Sequence, residues 1–189
     1  QDLFDNNAYA NDPRVDFLNW SLWSSAAFDY PADSVGFSWG FAAELNQPDW
    51  AVRAGYFLVA NQPDTNVYDL ALISRNGAVA EAELRYRPFD RPGAARIGAW
   101  MTNAFAGSYA EAVSLVPVSP GLNANDTVAL TRRSRTKYGF YASLDQELAD
   151  GIGAFARCGA DPTTRSASAA RSTACRPAMP ASWPTAVSA

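Results

Sequence analysis

GFSWGFAAEL (Gly36–Leu45), then NQPD (Asn46–Asp49), then WAVRAGYFL (Trp50–Leu58) is the stretch that decides the fold. In the first arm Phe37, Trp39, Phe41, Ala43 and Leu45 share one face, while Ser38, Gly40, Ala42 and Glu44 share the other. In the second arm Trp50, Val52, Ala54, Tyr56 and Leu58 oppose Ala51, Arg53, Gly55 and Phe57. A period of two over arms of this length is the signature of a strand with two unlike faces. The intervening Asn, Pro and Asp supply turn chemistry, so the two arms read as a hairpin.

The same period recurs outward along the chain. After a polar stretch with Pro63, Asp64 and Asn66, Ala80, Ala82, Leu84 and Tyr86 alternate with Glu81, Glu83, Arg85 and Arg87. A turn over 88–93 leads into Ala95, Ile97, Ala99 and Met101 against Arg96, Gly98 and Trp100. The next connection is long; it carries a helical piece around Tyr109 to Val116 and turn material at Pro117, Pro120, Gly121, Asn123 and Asn125. Tyr138, Phe140, Ala142 and Leu144 then alternate with Lys137, Gly139, Tyr141, Ser143 and Asp145, and a turn at Ala149-Asp150-Gly151 opens a last strand at Ile152.

The expectation is an all-β chain of about six strands of roughly ten residues, with connections alternating short and long. Apolar and polar faces, tight turns at one end and long loops at the other fit part of an antiparallel transmembrane β-barrel of the outer-membrane type. The pattern also leaves open a soluble sandwich or lipocalin-like barrel, with apolar residues in the core and charges in water. Two features favour the membrane barrel. The polar face carries both signs of charge, and the apolar face begins or ends with Trp39, Trp50, Tyr56, Tyr86 and Tyr138, rings that collect at membrane interfaces. At roughly 20 residues per strand the chain holds eight strands at most, whereas a pore needs about twice that number.

Composition removes whole classes of function. The chain has 48% hydrophobic and 18% charged residues, which suits a folded protein. Its 15 basic and 19 acidic residues give a net charge of -4, which offers a polyanion no basic surface and sets nucleic acid aside as a partner. There is no histidine, so Ser-His-Asp and Cys-His nucleophiles and imidazole metal sites are excluded, and no cofactor or catalytic residue is expected. Gly36-Phe37-Ser38-Trp39-Gly40 matches the spacing of a nucleophile elbow but lacks a histidine partner, and reads as a strand. Asp64, Asn66 and Asp69 lack the glycine and closing glutamate of a calcium loop and read as solvated, so no metal is expected. Cys158 and Cys175 could form a disulfide but not a zinc set.

The two ends differ. Residues 1–35 read as a loop segment dense with amides, carboxylates and aromatics, which hydrogen-bond sugar hydroxyls and stack on pyranose faces; Trp20, Trp23 and Tyr30 are candidate stacking residues. In residues 158–189, Ala, Ser, Thr, Pro and Arg fill 25 of 32 positions and no period is readable. That stretch is expected to be a disordered tail or the product of a shifted reading frame beyond Arg157.

DLFDNNAYANDPRVDFLNWSLW (Asp2–Trp23), AFDYPAD (Ala27–Asp33) and AELNQPDWAVRAGYF (Ala43–Phe57) resemble the carbohydrate-selective porins of the OprB type. AEAELRYRPF (Ala80–Phe89) and RTKYGFYASLDQEL (Arg135–Leu148) continue the likeness, which covers about residues 1–157. The resemblance implies a 16-stranded barrel in the outer membrane of Gram-negative bacteria, with arginines and acidic residues at its constriction. This chain looks like an internal part of such a barrel, lacking its first and closing strands.

The partners implied are mono- and oligosaccharides and outer-membrane lipid, with assembly into a homo-oligomer left open. The expected pore-lining, sugar-contacting residues are Arg53, Glu81, Glu83, Arg85, Arg96, Lys137, Asp145 and Arg157. The competing expectations are a soluble β-rich sugar-binding module, recognisable by staying monomeric without detergent, and a porin fragment without function.

Overall fold

The structure is a computed structural model, and it describes residues 3–18, 22, 24–25, 38–61, 67–68, 72–115, 121, 124–162, 173–177 and 181–182. The strands are β1 (Gly40–Asn46), β2 (Trp50–Leu58), β3 (Asn76–Tyr86), β4 (Gly93–Ala106), β5 (Arg133–Ala149), β6 (Ile152–Ala160), β7 (Thr173–Pro177) and β8 (Ala181–Ser182). They form one antiparallel sheet in sequence order from β1 to β7, with β8 also pairing β6. Each strand therefore lies beside its neighbours in sequence, the arrangement that short hairpins enforce.

The predicted hairpin is present, with Glu44 opposite Arg53 and Asn46 opposite Ala51. Its turn closes through the Gln47 amide donating to the Trp50 carbonyl at 2.8 Å. The other short connections are residues 87–92, holding a single 3-10 turn at Pro88–Asp90, and Asp150-Gly151. Gly151 has φ 73°, a left-handed conformation that glycine adopts without steric cost. All three short turns lie at one end of the sheet and the long connections at the other.

Two expectations shift in detail. A helix at Tyr109–Leu115 matches the predicted helical piece, with the Ser108 hydroxyl accepting from the Glu111 amide at 3.3 Å as a cap. A second helix at Ala124–Leu130 replaces what Asn125 indicates as turn. Asn and Asp favour a helix's first turn as well as turns, so their presence does not separate the two. The larger correction concerns the tail. β6 runs on to Ala160, and β7 pairs with it so that Cys158 lies opposite Cys175; Cys158 is disulfide-bonded. The expected boundary at Arg157 therefore falls inside a strand. Small side chains give no contrast between the two faces, so the pairing is invisible to hydropathy.

The sheet is inside-out by the standard of a soluble protein. Trp39 (74% exposed), Phe41 (70%), Ile97 (66%) and Phe140 (56%) stand on its outer face. Arg53, Glu81, Glu83, Arg96 and Asp145 are buried on the inner face. A soluble sandwich or lipocalin-like barrel needs the opposite arrangement, so that reading is overturned. The aromatics form two rows on the outer face. Trp39 and Tyr56 mark the long-loop end and Trp50 and Tyr86 the short-turn end, and Phe41 stacks on Tyr56 with ring centroids 5.8 Å apart.

On the inner face lies a small apolar cluster of Phe4, Val79, Trp100 and Tyr141, with Leu3 and Phe57 packed against it. Two glycines make it feasible: the Tyr141 ring lies over Gly98 and the Trp100 ring over Gly139, where any Cβ would collide. Phe4 and Leu3 come from the leading segment, described over residues 3–18, 22 and 24–25, which covers the polar face of the sheet.

An outward position in lipid accepts no charge. Ile97→Arg is expected to destabilise the barrel by about 2 kcal/mol, read as a lowered urea midpoint of the protein refolded in bilayers.

Candidate functional site: a charged inner wall

Alternation fixes which side chains share the inner wall, and register fixes which of them meet. Arg53 on β2 lies opposite Glu81 on β3, and Glu83 lies opposite Arg96 on β4. The resulting network is continuous. Arg53 donates from Nε to Glu44 at 2.8 Å and from Nη1 to Glu81 at 2.9 Å and Glu83 at 2.8 Å. Arg96 donates to Glu83 at 2.9 Å and Asp145 at 2.5 Å. Arg85 donates to Glu83 at 2.6 Å from the short-turn end, and the Tyr141 hydroxyl donates to Glu81 at 2.7 Å. Glu83 is thus shared by three arginines. The planar guanidinium fork lets Arg53 serve three carboxylates and Arg96 two at once, which a lysine ammonium does less well.

The leading segment docks on this wall with its own polar groups. The Asp5 amide donates to Glu81 at 2.7 Å, the Asn7 side-chain amide to the Ser143 hydroxyl at 3.0 Å, and the Ala8 amide to Asp145 at 3.4 Å. Arg157 on β6 donates to the Asp5 carboxylate at 3.2 Å and to the carbonyls of Asp5, Ala10 and Leu22 at 2.8, 2.6 and 2.7 Å. Burial raises the Asp5 carboxyl above its ordinary pKa, against the opposing pull of the Arg157 charge. The Tyr9 ring covers Gly153, and Phe17 packs on Phe155 with centroids 5.4 Å apart.

Of the residues singled out from sequence, Arg53, Glu81, Glu83, Arg85, Arg96, Asp145 and Arg157 come together on the inner wall. Lys137 is on the same face of β5 but eight residues from Asp145, about 27 Å along the strand. It is half-buried opposite Thr102 and outside the network. Trp20, Trp23 and Tyr30 lie outside the described residues, as do Asp64, Asn66 and Asp69. Ser38 donates to the Leu58 carbonyl at 2.6 Å on extended chain leading into β1, which rules out a strand-to-helix elbow. Among the described residues no group of three His, Cys, Asp or Glu could hold a metal ion. Asp5, Asn7, Glu44, Tyr141 and Ser143 were not singled out as lining. Glu44, Tyr141 and Ser143 stand at inward positions of alternating strands, whereas Asp5 and Asn7 lie in the leading segment and find Arg157 and Ser143 only 152 and 136 residues away.

The family model described as "Carbohydrate-selective porin, OprB family" matches residues 1–175. The chain belongs to this family. The match continues past Arg157, where the sequence resemblance was expected to stop, and takes in the start of β7. Members are outer-membrane porins of Gram-negative bacteria, typically channels and not enzymes. A solved structure titled "High pH structure of Pseudomonas putida OprB" is similar to the chain at 20% identity and a TM-score of 0.46. The likeness covers 66% of this chain and 31% of that one, so the chain spans about a third of its length. No curated protein sequence matches.

Breaking a buried network at its most shared member leaves uncompensated charge. Glu83→Ala is expected to destabilise the porin by about 3 kcal/mol, well beyond Arg85→Ala, whose side chain is a third exposed. Urea midpoints of the two variants check the order.

Proposed function

We propose that this chain forms part of the wall and constriction of a pore through which neutral sugars diffuse passively across the outer membrane. The observation that carries the reading is the inside-out sheet: an apolar, aromatic-edged outer face and an inner face of paired charges. A polar lining is of use only where water runs along it, and an apolar exterior only where lipid meets it.

The network suits an uncharged polar solute. Four guanidinium groups (Arg53, Arg85, Arg96, Arg157) face five carboxylates (Asp5, Glu44, Glu81, Glu83, Asp145), and 4 − 5 leaves a net charge of -1. Such a wall offers dense donors and acceptors with little field to trap an ion. A sugar entering the narrow part gives up hydration, and the rigid forks of Arg53, Arg85 and Arg96, with the carboxylates beside them, replace it. Their mutual pairing keeps each contact weak, as release requires.

The sheet is open along the outer edges of β1 and β7 among the described residues. Lipid does not tolerate unpaired strand edges, so a pore requires further strands to close the barrel. Short turns at one end and long loops at the other support an orientation with the turns in the periplasm and the loops outside.

In planar bilayers the full-length protein is expected to form channels whose current falls on addition of glucose or maltodextrins. Channels indifferent to every sugar would remove the selectivity while leaving the porin. Arg85→Ala with Arg96→Ala should weaken the block and shift ion preference towards cations, since each removes a positive charge from a wall already at -1; reversal potentials in a salt gradient report the shift.

A further inference from the structure

The three arginines deepest in the wall divide by what they hold. Among the described residues, Arg53 and Arg96 bond only to carboxylates on the wall itself, on β1, β3 and β5. Arg157 is as deeply buried, with 5% of its side chain exposed, yet among the described residues its hydrogen bonds all go to the leading segment. Three of them end on backbone carbonyls at positions 5, 10 and 22, so one guanidinium gathers three separate points of that segment.

Asp5 is the opposite half of the contact. It is fully buried and carries φ 53°, a left-handed backbone conformation unusual for a residue other than glycine. Its amide reaches Glu81 on β3 while its carboxylate takes Arg157 on β6 and the Ser25 amide at 2.5 Å. Those strands are three spacings apart, about 14 Å. Backbone strain of this kind persists only where the surroundings over-determine it.

Building on the porin reading, we propose that Arg157 is a positioning residue that latches the leading segment against the pore wall, with Asp5 as its catch, and that this latch sets the width of the passage. Arg157 is spent on the segment and is not free to grip solute. Its fork geometry is what the latch requires: a lysine could neutralise Asp5 but not span three carbonyls and a carboxylate.

The test is single-channel recording of the full-length porin in planar bilayers, comparing wild type, Arg157→Ala and Arg157→Lys. Release of the segment should raise conductance by about twofold and weaken block by maltodextrins, with the lysine variant in between. Asn7→Cys with Ser143→Cys, whose wild-type side chains are 3.0 Å apart, supplies a replacement tether. In the Arg157→Ala background, oxidation of that pair should restore wild-type conductance and reduction should release it again. With Arg157 intact, the same pair should conduct alike oxidised and reduced, a comparison that holds even if Arg157→Ala fails to insert. Wild-type channels that respond to sugar, paired with an Arg157→Ala conductance that is unchanged or not reversed by the tether, would overturn the latch alone. Wild-type channels that no sugar affects would overturn the sugar reading instead.

Discussion

A strand has two faces that alternate residue by residue, and a sheet in a membrane must give one to lipid and the other to water. That alternation runs through the long described strands of this chain. It sets Val52, Leu84 and Ile97 outward and Arg53, Glu81 and Arg96 inward from the same three strands. A slip of one residue in register would exchange the faces, presenting guanidinium groups to hydrocarbon. The lipid-facing row thus fixes the register, and the register in turn decides which charges meet. That Arg53 lies opposite Glu81 and Arg96 opposite Glu83 is therefore a consequence of how the outer face must be written.

The inner wall has a second demand, because charges covered by the leading segment lose solvent and must be paired. The chain meets it with shared partners. Glu83 serves Arg53, Arg85 and Arg96, while Glu81 accepts from Arg53, Tyr141 and the Asp5 amide. Under the proposed function, sharing would let each group keep its orientation while a solute exchanges one of several hydrogen bonds. A wall of isolated charges would bind ions more tightly and reorganise more on each passage.

What could be read in the sequence follows from the range of each interaction. The hairpin at Gly40–Leu58, the alternation in β3 to β5 and the turn at Gly151 rest on neighbours within a few residues, and these were legible. So was the charged face, because alternation alone groups Arg53, Glu81, Glu83 and Arg96. Asp5 and Asn7 were visible only as part of a polar segment, since their partners Arg157 and Ser143 are 152 and 136 residues away. Lys137 illustrates the converse: the correct face but the wrong height, which period cannot distinguish. β7 was hidden for a different reason. Its sequence Thr-Ala-Cys-Arg-Pro carries no alternating hydrophobic contrast, and its strand character comes from pairing with β6.

The glycines show how the two demands are reconciled. A wall that must be polar still has to hold a covering segment in place, and ion pairs alone orient it poorly because water competes for them. Gly98, Gly139 and Gly153 leave bare backbone on the inner face, and the rings of Tyr141, Trp100 and Tyr9 fill those gaps. Tyr141 and Trp100 join Phe4 in one apolar patch beside the charges, and Tyr9 brings the segment down on β6. Apolar contact supplies adhesion without direction, whereas Glu81 and Arg157 supply direction at two points of the same residue, Asp5. Either alone would leave the segment loosely held or free to slide; together they fix both its height above the wall and its position along it.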